Sequence, residues 1–374
     1  MSDTPFLCHF VDKIQKKSEE TSSTDFGNFL TTKLNIFPEN SRFSSRVLIL
    51  SSVIDAEADV VGIELLRRGI DYLRLNIEDI SHSFGICYNV KMDSEPLFQI
   101  KIGSSVINVS DVSVVWLRNF DFALKSYDGG QLNSTFIFQQ WNVALQTLYG
   151  LLKCTWINSI EGTNHSNSRV NQLLSAKNVG FNIPTTLITN DPNEASKFYD
   201  ACGGNAIVKA LHHHDVETND VVYSIYTHIL NRGDLLKLGD LVHAPCILQE
   251  RIPKSSELRV TVVGDKVFAS EMTFELGGKG MDVLHRYPVS QLNNRPIQLK
   301  KEFQSRCIQF LGSLGLKYGA IDFILDTNEI LYFLEVNPTG DWVWIERQTK
   351  LPITQALVDL IESSITSKSN PNLL

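Results

Sequence analysis

The sequence predicts an α/β protein in which a small α/β domain precedes two α+β lobes. Three observations carry this. From Arg46 onward, apolar runs of strand length alternate with amphipathic helices, the order that builds a sheet covered by helices. A second mixed stretch of helices and strands begins near Glu161. The chain then closes on a series of strands that ends in two apolar segments, Tyr318–Leu325 and Ile330–Asn337. A length of 374 residues is enough for two or three such units.

The elements follow in order. Residues 1–41 are a polar tail rich in Ser, Thr, Lys and Glu. Within it, TPFLCHFVDKIQ (4–15) places Phe6, Leu7, Phe10, Val11 and Ile14 at helical spacing, which predicts an amphipathic helix. The α/β domain spans 42–160. RVLILSSV is a buried strand, Ala56–Arg68 a helix ended by Gly69, and YLRLNI and VSVVWLRNF are further strands. A long helix over Phe136–Lys153 and the strand TWINSI complete it. The larger unit spans 161–366. Its first lobe (161–241) holds a helix over Val170–Val179, the strand IPTTLITN, a helix over Pro192–Tyr199 and the strand NAIVKAL. Its second lobe (242–366) holds the strands CILQERI, ELRVTVVG and KVFASEMTF, a helix over Lys301–Leu314, the two closing strands and a helix over Pro352–Ser363.

Composition excludes several classes. Apolar content of 43% and charged content of 20% are ordinary for a globular protein. A net charge of −8 argues against nucleic acid as a partner. No run of about 18 apolar residues is present, so no membrane-spanning helix is expected. The N-terminus has no signal-peptide core, which points to the cytoplasm. The six cysteines are scattered and lack CxxC spacing, so they read as isolated thiols.

The closing strands carry the chemistry. The short polar link Asp326–Glu329 makes them a β-hairpin. In the simplest register Leu325 pairs with Ile330 and Asp322 lies opposite Phe333. Phe333, Glu335 and Asn337 then share a face with Asp322. Two carboxylates and an amide oxygen form a hard oxygen cluster suited to Mg²⁺. The competing reading is a pair of solvated acids on an edge strand. Acids seldom sit in runs this apolar unless paired or metal-bound, which favours the cluster.

GAIDF followed by FLEVNPTGDWVWIE resembles the metal-binding end of ATP-grasp ligases. The Trp342–Glu346 extension resembles the graspetide synthetases, microviridin-type maturases that close side-chain esters and amides in ribosomal peptides. The resemblance runs from about Arg46 to about Ser363. It implies two lobes clamping ATP behind a pre-ATP-grasp domain, with ATP and Mg²⁺ required and a ribosomal precursor peptide, bearing a leader helix, as partner. It leaves a homodimer open.

The resemblance also assigns residues. Lys209, at the end of NAIVKAL, contacts phosphate, and a compact ammonium suits that role. Arg169 stands where the family usually has Lys, and its fork still suits phosphate oxygens. Lys177 is the competing candidate, on what reads as the exposed face of the helix. LQERI is the hinge, where backbone groups of Glu250 and Ile252 hold adenine beside the Gln249 and Glu250 side chains. Arg259 reaches phosphate or the acyl group, and Glu257 orients Arg259 or the ribose. Lys209 and Arg259 are thus the catalytic candidates.

Four further features rank lower. His212–His214 cannot all face one ion and read as a solvated phosphate-covering loop. GGKG at 277–280 lacks a strand-to-helix switch and reads as a hairpin turn, in a hairpin that binds the leader in the graspetide branch. Asp282 and Arg286 are spaced more widely than that branch's Asp-x-Arg. The 4–15 segment is similar to the leader helix of microviridin precursors, which raises a leader fused in cis. The alternatives are a ligase for a small amino acid or peptide, of the glutathione-synthetase or glutamate-adding type, and a nucleotide-binding scaffold without turnover.

Overall fold

The structure, a computed structural model, describes residues 6, 11–14, 47–80, 83–103, 105–118, 131–211, 215–218, 221–274 and 292–368. Strand β1 (Val11–Ile14) joins a sheet far along the chain. The α/β domain begins at β2 (Val47–Ser51), which is buried throughout. Helix α1 (Ala56–Arg67) starts where Asp55 accepts a hydrogen bond from the Ala58 N–H at 3.1 Å, and it stops at Gly69, whose φ of +71° suits glycine. With β3 (Tyr72–Asn76) this gives a β-α-β unit. The strands β4 (Phe84–Lys91), β5 (Ser94–Ile102) and β6 (Ser105–Asn108) form a separate antiparallel sheet that the sequence reading did not contain. Next come β7 (Val114–Leu117), α2 (Gln131–Leu151) and β8 (Thr155–Ile157).

The main sheet of this domain is parallel, in the order β3-β2-β7-β8. Both faces are covered, so β2 is apolar from Val47 to Leu50 yet still alternates. Leu48 and Leu50 pack under α2 and the small sheet, with Leu145 and Leu148. Val47 and Ile49 face α1, Trp342, Tyr318 and the C-terminal helix. That second core is shared with the larger unit.

The first lobe contains α3 (Ile160–Ser166), α4 (Arg169–Asn178), β9 (Thr186–Thr189), α5 (Pro192–Ala201), β10 (Ala206–Lys209), β11 (Asp215–Thr218), β12 (Val221–Ile225), β13 (His228–Ile229) and β14 (Cys246–Glu250). Strands run β13-β10-β14-β9, with α5 and the turn of 3-10 helix Asp234–His243 over the core. Because β14 pairs with β10 and β9, it belongs to this lobe. The lobe boundary therefore falls after Glu250, and not at 241/242 as the sequence suggested.

The 4–15 helix is corrected where the structure describes it. Val11–Ile14 is a strand, paired antiparallel with β12 from Val11↔Ile225 to Ile14↔Val222. The edge of β12 offers unpaired backbone groups, and β-branched Val11 and Ile14 suit a strand. A lone short helix has no such external hydrogen bonding. Phe6 is buried in the first-lobe core with Ala195, Tyr199 and Leu230. Leu7, Phe10 and Gln15 lie outside the described residues.

The second lobe is one antiparallel sheet, β17-β16-β15-β18-β19. Its members are β15 (Lys254–Val263), β16 (Lys266–Phe274), β17 (Leu292–Ile297), β18 (Tyr318–Asp326) and β19 (Leu331–Asn337). Helix α6 (Lys301–Ser313) covers one face through Cys307, Phe310 and Leu311, with Leu258, Val260, Ile321, Phe323 and Phe333 beneath. Helices α7 (Val343–Thr349) and α8 (Ile353–Lys368) close the chain. The partner of β16 is Leu292–Ile297, later than the expected segment through Tyr287. GGKG, Asp282 and Arg286 lie outside the described residues, as do His212–His214.

Candidate active site

The second-lobe sheet has an apolar face under α6 and a polar face opposite. Arg259 on β15 pairs directly with Asp322 on β18, and Asp322 pairs directly with Glu335 on β19. Asn337 pairs with Ala320, two residues from Asp322, so it lies on the same face. The predicted register is corrected. Leu325 pairs with Leu331, and the ladder shifts between Asp322 and Phe323, leaving Leu334 as the extra residue. Such a bulge restarts the alternation. Phe333 opposes Phe323 on the buried face, while Glu335 turns to the polar face with Asp322. The carboxylates converge, but Phe333 does not share their face.

Both acids meet guanidinium groups. Arg259 Nε lies 3.1 Å from Asp322 Oδ1, and its Nη2 donates to Oδ2 at 3.3 Å. Burial alone would lower the Arg259 pKa, but the surrounding acidic groups, Asp322 foremost, together raise it. Arg169, at the start of α4, places Nη2 2.8 Å from Glu335 Oε2. Lys177, on the same helix, is exposed. Glu257 is ion-paired with Lys254, and Arg259 is held by Asp322.

Side chains that the sequence reading missed hold this face. Gln172 accepts the Val336 N–H at 3.0 Å and donates to the Val336 carbonyl at 3.0 Å, pairing the open edge of β19 as a strand would. Asn158 accepts the Tyr318 N–H at 3.0 Å and donates to the Pro338 carbonyl at 2.9 Å. No periodicity announces such residues, since each is a polar side chain replacing a missing backbone partner. Asn337 Oδ1 itself accepts the Thr339 N–H at 2.9 Å, an Asx turn that sets its angle.

On the first lobe, Ile207 pairs with Gln249 and Lys209 with Ile247, so Lys209 and Gln249 share a face. Gln249 is buried and donates to Thr186 Oγ1 at 2.9 Å. Glu250 pairs with Ala206, which belongs to the opposite, apolar face, and its carboxylate accepts the Thr185 hydroxyl at 3.0 Å. Its N–H donates to the Thr185 carbonyl at 2.9 Å. That N–H is already used, which leaves Ile252, past the strand, as the candidate backbone donor for a base.

The donor set fits a hard divalent cation. Among the described residues there is no cluster of three or more His, Cys, Asp or Glu. A cation held by Asp322, Glu335 and the Asn337 amide oxygen would take its remaining ligands from water and phosphate, which is how Mg²⁺ is usually bound. The cations Arg259 and Arg169 flank the same face. The face thus gathers two acids, an amide and two arginines, groups that suit a phosphate and a divalent cation chemically.

The RimK-like ATP-grasp domain matches residues 165–361, just over half of the chain. The chain is an ATP-grasp protein of the RimK-like family. It is an ATP-grasp ligase by this domain and by its relatives. The macrocyclase MdnC of Microcystis aeruginosa MRC, solved with precursor peptide MdnA, superposes with a TM-score of 0.73 at 25% identity over 84% of this chain and 98% of its own. The RiPP-associated ATP-grasp ligase of Chryseobacterium gregarium, solved with ADP and a leader and core peptide, gives 0.75 at 22% identity over 85% and 96%, which speaks to fold alone. A probable alpha-L-glutamate ligase 1 of Shewanella denitrificans is 25% identical over 56% of this chain and 68% of its own length. This ATP-grasp ligase thus spans about two thirds of that relative. Among its described residues no helix is long and apolar enough to cross a membrane.

Proposed function

We propose that this ATP-grasp ligase activates Asp or Glu side chains of a ribosomal precursor peptide and closes macrocyclic esters or amides with Ser, Thr or Lys side chains. The observation that carries the reading is the extent of the likeness to MdnC. It covers 84% of this chain, whereas the match to the glutamate ligase covers 56%. A carboxylate oxygen attacks the γ-phosphorus of ATP, an O–P bond forms, and ADP leaves. The hydroxyl or amine then attacks the carbonyl carbon, gives up a proton, and phosphate departs. Mg²⁺ would neutralise phosphate charge from Asp322, Glu335 and Asn337. Arg259, Arg169 and Lys209 offset the charge on the transferring group, the dominant contribution in such reactions. Gln249 and the Ile252 backbone would contact the base. The substrate is made on ribosomes, so the reaction belongs in the cytoplasm.

The test is a substrate comparison. A precursor peptide encoded beside this gene, with its leader, should lose one water per bond formed, and removing the leader should slow this. Addition of free glutamate to a peptide terminus, without loss of water within the precursor, would favour a glutamate-adding ligase.

A further inference from the structure

Arg118 follows the apolar strand β7 and has a fully buried side chain. Nothing in the reaction as described uses it. Its guanidinium lies beside two neighbouring indoles, 5.6 Å from the Trp116 ring centroid and 5.3 Å from that of Trp342. Asp55 Oδ2 at 3.1 Å and Glu57 Oε2 at 3.5 Å balance its charge from the start of α1. The rest of the fork leaves its own domain. Nη1 donates to the Thr339 carbonyl at 2.5 Å and approaches the Gly340 carbonyl at 3.4 Å, and Nη2 reaches Asp341 Oδ1 at 2.9 Å.

Those three acceptors are the turn that follows Asn337. The turn has little freedom elsewhere. A Cβ on Gly340 would lie 2.5 Å from the Ala320 Cβ, so the backbone there sits directly on β18. The Tyr318 hydroxyl donates to the Gly340 carbonyl, and Glu57 Oε1 accepts the Trp342 and Val343 N–H groups at 3.1 Å each. The Thr339 N–H, in turn, sets the Asn337 amide oxygen.

We infer that Arg118 is a positioning residue through which the α/β domain fixes the Asn337–Asp341 turn and so the metal-facing oxygen of Asn337. This rests on the reading of Asp322, Glu335 and Asn337 as the metal site. A planar fork with five donors can hold two carbonyls and three carboxylates together, whereas an ammonium of the same charge cannot span them.

The experiment compares Arg118→Lys, which keeps the charge facing Asp55 and Glu57, with Asp341→Asn, which changes only the exposed end of the contact. Mn²⁺ binding in the presence of ADP is followed by electron paramagnetic resonance, alongside the Mg²⁺ dependence of ADP release. Arg118→Lys should weaken Mn²⁺ binding about tenfold or more, the usual cost of losing an outer-shell support. The Mg²⁺ needed for half-maximal turnover should rise in parallel. The KM for ATP at saturating Mg²⁺ should stay near wild type, because Lys209 and Gln249 lie on the other lobe. Asp341→Asn should shift metal binding in the same direction by a smaller factor, and it answers the question if Arg118→Lys does not fold. Unchanged Mn²⁺ binding in the folded Arg118→Lys protein, or failing that in Asp341→Asn, overturns the inference. Glu335→Ala separates the two claims. If it retains Mn²⁺, the metal reading falls and this inference with it. If it loses Mn²⁺ while the Arg118 and Asp341 variants do not, only the inference falls.

Discussion

Arg169 and Lys177 sit on one helix and carry the same charge, yet only Arg169 reaches the site, 2.8 Å from Glu335, while Lys177 is exposed. Arg169→Met is therefore expected to lower kcat about 100-fold, the scale for losing one preorganised electrostatic contact, with Lys177→Met near wild type in the same ADP-release assay. Asp55 makes a second prediction, concerning pH. Burial alone would raise its pKa, but the Arg118 charge and its hydrogen bonds outweigh this and hold it below 3.8. A carboxylate lowered by folding stabilises the protein above its ordinary titration range, and the gain is lost as pH falls through the folded value. Asp55→Asn should cost about 3 kcal/mol at neutral pH, since it leaves a buried cation short of a partner. Urea unfolding should show that difference shrinking only below pH 3.8. At this scale the sequence was partly legible. Asp322, Glu335 and Asn337 stood out as polar residues in apolar runs. Gln172 and Asn158 did not, because their roles depend on which backbone groups lack partners once the elements are assembled. Arg118 had a signal, a charge closing an apolar strand, but its acceptors in the Thr339–Asp341 turn lie more than two hundred positions away in sequence.

Among elements, periodicity located most strands and helices and failed where one extra residue or an edge decides. The bulge at Leu334 could not be read from alternation, since Phe333, Glu335 and Asn337 keep period two in sequence while the backbone breaks it. The segment 11–14 has helical spacing and is nevertheless a strand, because the edge of β12 supplies hydrogen bonds that an isolated helix cannot find outside itself. Phe6 ties this segment to the first-lobe core at 1% exposure. Phe6→Ala should destabilise the protein by about 3 kcal/mol, seen as a lowered thermal midpoint. An unchanged midpoint would mean that the segment contributes nothing to the lobe. The three-stranded sheet β4-β5-β6 was missed for a different reason. Its strands are half exposed and carry Lys, Asn and Gln, so they lack the apolar runs that mark the other strands.

For the whole molecule, the α/β domain and the second lobe share one core, with α1 packed on α8 and Trp342 beside Trp116 at 6.0 Å between ring centroids. The domain that carries no proposed substrate ligand is thereby part of the frame of the Asn337–Asp341 turn. The most direct measurement is the product balance of a single reaction containing the enzyme, ATP, Mg²⁺ and the leader-bearing precursor. Mass spectrometry of the peptide and chromatography of the nucleotides should give one ADP and one phosphate for each water lost from the peptide, with no turnover by Glu335→Ala. AMP and pyrophosphate, or ADP released in wild-type amounts by Glu335→Ala, would contradict the account.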